Sequence, residues 1–135
     1  MGPVSFEIFL QAFEEGDAAE RGGAAIRRFL LAHADAHEPE HQFVHVTYSD
    51  GRADVYGVPP NGAQCDGLMF SRIKGEALDL VVEVAQLADL VIMPVGCAVC
   101  VVSESQIEHL PSALRDGAVD VVRSGRELAD VIARS

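Results

Sequence analysis

Tryptophan is missing from this chain of 135 residues, lysine occurs once (Lys74), and aromatic residues make up only 6%. A core without large rings must be built from Val, Leu, Ile and Ala. The 49% hydrophobic content is enough for one such core in a chain of single-domain size. Bases are scarce: 10 against 21 acids, for a formal net charge of −11. That surface repels nucleic-acid phosphates and anionic membranes, and it favours basic partners.

Other absences narrow the field further. The longest apolar run, residues 90–102, is interrupted by Pro94 and Gly96 and is too short to span a bilayer. The first residues lack a positively charged leader, and Phe6 occupies the position where a myristoylation signal needs Ser or Thr. The expectation is a soluble, cytoplasmic protein. Three cysteines (Cys65, Cys97, Cys100) are an odd number, which points to free thiols. Neither GxSxG, GxGxxG nor GxxxxGK[ST] occurs, so no nucleophile elbow or nucleotide loop is encoded, and no cofactor is expected.

What is present reads as strands and helices in alternation. Residues 5–13 alternate with a period of two, with Phe6, Ile8, Leu10 and Ala12 on one face, and Phe9 and Phe13 partly burying the other. Residues 24–36 carry Ile26, Phe29 and Leu30 at helical spacing, ahead of Pro39. Asp50-Gly51 between two alternating runs predicts a two-residue type I′ hairpin over 43–58, pairing Tyr48 with Ala53, Val46 with Val55 and His45 with Tyr56. Further strands are expected over 67–73, 90–95, 98–102 and 118–123. Helices are expected over 76–88, 103–110 and 127–133, the last two opened by the capping patterns Ser103/Gln106 and Ser124/Glu127. The expected fold is α+β (mixed α/β): one domain over 1–135 and one mixed, mainly antiparallel sheet. Three to four helices pack mostly on one face of it.

Three constellations could carry chemistry. His33, His37, His41 and His45 recur every four residues. Only His33 and His37 could share a helix face and form a metal site, because Pro39 breaks the periodicity and His45 belongs to a strand. The alternative is a polar helix end leading into a loop. Cys97-Ala-Val-Cys100 has CxxC spacing, yet three residues apart on a strand places the thiols on opposite faces, and no second pair completes a zinc site. The third is the hairpin face of His45, Thr47, Asp54 and Tyr56, with Glu7 and Gln11 from the first strand. It serves as a binding surface, as a His–carboxylate acid–base pair, or simply as a solvated sheet face.

The opening phrase F-x-I-x-L-Q-x-F-x-x-G, Phe6 to Gly16, followed by a helix and a hairpin ending in VYGV, resembles a group of small uncharacterised bacterial proteins. The similarity extends through LPSAL and implies no activity or catalytic residue. In size and acidity the chain is similar to immunity proteins, which neutralise a toxin by binding it. The expected function is therefore non-enzymatic binding of a basic protein. The alternative is a small enzyme or metal-binding protein using His33 and His37, or His45 and Tyr56.

Overall fold

Ile8, Leu10 and Ala12 are buried while Phe9 between them is 40% exposed, so the alternation in the first strand sorts its side chains to two faces of a sheet. The computed structural model describes residues 7–134, with the Lys74 side chain excepted. Ser5 and Phe6, expected to open the first strand, lie outside the described residues. The strands are β1 (Ile8–Glu14), β2 (Asp17–Ala19), β3 (Ala36–Glu38), β4 (Phe43–Thr47), β5 (Arg52–Tyr56), β6 (Leu68–Lys74), β7 (Val91–Pro94), β8 (Val99–Val101) and β9 (Val119–Val121). They form one sheet in the order β3-β4-β5-β6-β1-β7-β8-β9, with β2 paired to the far end of β1. All pairs are antiparallel except β8–β9. The mixed, mainly antiparallel α+β fold is as the sequence implies.

Helices α1 (Gly23–His33), α2 (Ala77–Ala88) and α4 (Gly125–Ala133) pack on the face that carries Ile8, Leu10, Val44, Val46, Val55 and Phe70. Their stripes, Ile26 and Leu30 in α1, Leu80, Val81 and Val84 in α2, and Leu128 and Val131 in α4, close this core. Gly125 lets α4 meet α2 closely, its N–H donating to the Asp79 carboxylate at 2.9 Å. Ser124 accepts from the N–H of Glu127 (3.1 Å), and Glu127 accepts from that of Arg123 (2.7 Å), so the capping pattern holds.

The opposite face is only partly covered. A 3-10 turn, Glu104–His109, and the single-turn α3 (Ser112–Arg115) lie over the β7–β8–β9 end. There Ile107, Leu110 and Leu114 pack against Val91, Val101, Val119 and Val121. Gln106 is buried beneath this turn, its amide accepting from the N–H of Val102 (2.8 Å) and donating to Asp89 (2.9 Å). Asp89 ends α2 in a left-handed conformation (φ 57°) and also pairs with Arg21 at 3.0 Å. His109 anchors the β1–β2 turn: its Nδ1 accepts from the N–H of Glu15 (3.1 Å) and its carbonyl from that of Gly16 (2.9 Å).

Three expectations are corrected. The hairpin pairs His45 with Asp54 and Phe43 with Tyr56, two residues from the expected register. The cause is that Asp50 and Gly51 do not enter the left-handed region a type I′ turn needs. Instead Asp50 accepts from the N–H of Glu76 at the start of α2 (3.1 Å), and a wider turn closes with the N–H of Tyr48 donating to Gly51 (2.6 Å). The two-residue left-handed turn occurs at Glu15-Gly16 (φ 50° and 87°), where it joins β1 to β2. Helix α1 stops at His33 rather than residue 36, because Ala34 turns extended and residues 36–38 join the sheet as β3.

Candidate functional site

A register shift of two residues changes a strand's partners and leaves its faces unchanged. His45, Thr47, Asp54 and Tyr56 therefore still share the outer face, and Gln11 projects from β1 on the same side, among the outer-face residues Phe9 and Phe13. Glu7 lies just before β1, exposed, with its carbonyl accepting from the N–H of Val95 (3.1 Å).

The register then builds something no single segment encodes. Phe43 is opposite Tyr56, Tyr56 opposite Met69, Met69 opposite Phe9, and Phe9 opposite Met93. These pairs form one apolar row across β4, β5, β6, β1 and β7, about 19 Å long at the ordinary strand spacing. The rings of Phe43 and Tyr56 lie 5.0 Å apart, tilted by 47°. Phe9 and Tyr56 are each 40% exposed, because the 3-10 turn and α3 cover only the other end of this face. Below the row a groove of about 570 Å³ is lined by Phe9, Phe13, Ala18, Tyr56, Met69 and Met93, with the Gln11 amide and the Tyr56 hydroxyl as its polar side-chain groups. Gly57 and Gly67 form part of its wall, and a Cβ on Gly57 would run into the carbonyl of Gly67.

The polar residues of the face are tied to one another. His45 Nδ1 lies 2.5 Å from the Asp54 carboxylate, and Arg72, on a bulge of β6, approaches Asp54 at 3.9 Å. Thr47 donates to Asp35 at 2.5 Å. His45 and Asp54 could exchange a proton, but neither lines the groove, so no reactant held there would meet them.

The other candidates separate. His33 ends α1 with Nδ1 2.9 Å from the carbonyl of Phe29, whereas His37 lies on β3 opposite Val44. Because the helix ends between them, the shared helical face that motivated a metal site is not formed. Among the described residues, the three side chains within common reach of an ion are Glu38, Glu40 and His41, all exposed. At the start of α1 the N–H of Gly23 donates to Gln64 at 2.9 Å, under a loop that passes too close for a side chain. Cys100 faces the core, where burial pushes its thiol up to about 12, and Cys97 sits in the turn after β7. Burial likewise raises Cys65 and Tyr48.

Sequence reasoning placed Tyr56 and Gln11 on the face that holds the groove, together with His45, Thr47, Asp54 and Glu7, which do not line it, and missed Met69 and Met93. The signal that existed was Phe9 and Phe13 on the second face of the first strand. No helix among the described residues is long and apolar enough to cross a membrane. Comparison with protein-family models, curated proteins and solved structures finds no match to this chain.

Proposed function

We propose that this chain is a non-catalytic binding protein that engages a basic protein partner through the open half of its outer sheet face. The observation that carries this is the row Phe43–Tyr56–Met69–Phe9–Met93, in which Phe9 and Tyr56 stand exposed, on a chain of net charge −11. An apolar centre of aromatic and methionine side chains supplies adaptable contact area, and methionine in particular conforms to irregular partners. The surrounding acidity speeds encounter with a cationic surface and rejects anionic ones. In its narrowest form the reading is immunity-like, with the basic partner a toxin that this face blocks.

The test is affinity capture with the tagged protein and its Phe9→Ser variant, each at about 0.05 M and about 0.5 M salt. The expected result is a basic protein retained by the unmodified chain, weakened by salt and lost with Phe9→Ser. A partner retained equally by both proteins, or no salt-sensitive partner at all, would sink the proposal.

A further inference from the structure

Gln11 stands in the groove with an amide whose orientation is fixed. Its Nε2 donates to the carbonyl oxygens of Ala12 (3.1 Å) and Ala19 (2.9 Å). Carbonyl oxygens only accept, so the nitrogen must face them and Oε1 must occupy the other end of the amide. That oxygen lies beside Gly67: a Cβ built there would come within 3.2 Å of it. Among the described residues no donor meets Oε1. The groove thus holds the Gln11 amide oxygen as an unmet acceptor in a wall otherwise made of Phe9, Phe13, Met69, Met93 and Tyr56, whose hydroxyl is the other polar side-chain group there.

An occupant must bring a donor to Oε1 and an apolar or flat body to the rest of the wall. Charge narrows the choice further. Among the described residues no Lys, Arg or His lines the groove, while the exposed acid Asp66 is the chain neighbour of the lining residue Gly67. A purely apolar occupant would leave Oε1 unpaired as it became desolvated, which is unfavourable. A second copy of the chain would bring a further charge of −11 and its own Asp66 to the same place.

Resting on the binding reading above, we propose that the groove receives an arginine side chain of the basic partner. The methylene stem lies along Met69 and Met93, the guanidinium plane rests on the aromatic wall of Phe9 and Tyr56, and one N–H donates to Gln11 Oε1. The remaining N–H groups face outward toward Asp66. Arginine suits this site better than lysine. Its guanidinium is flat, weakly hydrated and carries donors in several directions, whereas an ammonium is compact and strongly hydrated. At about 570 Å³ the groove also has room for an apolar neighbour of that arginine.

The experiment uses the full chain carrying ¹³C-methyl methionine. It is titrated with an acetylated peptide of about eight residues alternating Arg and Leu, and with versions carrying Lys or citrulline instead of Arg. Met69 and Met93 methyl signals and the Gln11 side-chain NH₂ signals report where the peptide sits. The arginine peptide is expected to move all three and to bind about tenfold tighter than the lysine peptide, with citrulline weaker again. Asp66→Asn, at an exposed position, is expected to lower arginine-peptide affinity by about two- to threefold without changing the fold. Equal binding of the Arg and Lys peptides at the methionines overturns the arginine assignment and leaves the binding face standing. Binding that leaves both methionine signals unmoved, or no binding by either cationic peptide, overturns both.

Discussion

Asp50, at the tip of the β4–β5 hairpin, accepts a hydrogen bond from the backbone N–H of Glu76, 26 residues further along the chain. The carboxylate acts as a remote cap for α2, and Ser49 adds a hydrogen bond to the Glu76 side chain at 2.7 Å. Asp50→Ala should cost about 1 kcal/mol of unfolding free energy, and Asp50→Asn much less, because the amide oxygen still accepts. Urea titration of the two variants checks this. Equal losses would show that the cap is not what holds the tip.

Neighbours in β1 should respond differently to truncation. Ile8 is fully buried against the helices, so Ile8→Ala should cost about 2–5 kcal/mol. Phe9→Ser removes a ring that is 40% exposed and should cost about 1 kcal/mol, while abolishing partner capture. Thermal melts and the capture assay, run on both variants, separate a folding residue from a binding one.

Alkaline pH should destabilise the protein. Burial holds the Cys100 thiol protonated up to about 12, against an ordinary value of 9.0, and Cys65 and Tyr48 are raised in the same direction. Below pH 9 both folded and unfolded chains keep these protons. Above it the unfolded chain releases them first, so stability falls as pH rises toward 12. Urea midpoints should therefore decline from pH 9 upward, and less steeply in Cys100→Ala. A flat profile over that range would contradict the burial of all three groups.

The same burial sets thiol reactivity. In the folded protein a water-soluble disulfide reagent at mildly alkaline pH should modify Cys97 and leave Cys65 and Cys100 until urea exposes them, because Cys65 and Cys100 are buried. Mass spectrometry of the labelled peptides reads the order.

Gly23→Ala should destabilise, although alanine is the better helix former. A Cβ there would collide with the carbonyl of Ala63, which belongs to the loop whose Gln64 accepts the Gly23 N–H. The expected loss is at least about 1–3 kcal/mol, the usual cost of overpacking. An unchanged or higher melting temperature would show that this loop moves aside freely.

Local alternation made much of the core legible: Ile8, Leu10 and Ala12 in β1, Val44 and Val46 in β4, and the α2 stripe all follow from period. The strands β2 and β3 were not legible, since each has three residues and little burial to impose a pattern. The hairpin register failed for a reason outside the hairpin. Asp50 is recruited by a helix start that its own neighbourhood does not reveal. The groove was half legible. Tyr56 and Gln11 could be assigned to a face, but the row through Met69 and Met93 depends on β1 lying between β6 and β7. That order is fixed only when the whole sheet assembles.

Both outer strands of the sheet, β3 and β9, have three residues each. The β3 edge is exposed throughout and ends at Glu38 and Pro39, a charge followed by a residue without an N–H. Such stubs offer too few free backbone groups to template another chain, so a wide sheet is kept from polymerising edge to edge. The same shortness denies a partner peptide the option of adding itself as a further strand. On the binding reading proposed above, recognition is thereby pushed onto side chains standing up from a surface, where sequence identity in the partner counts for more than an extended shape.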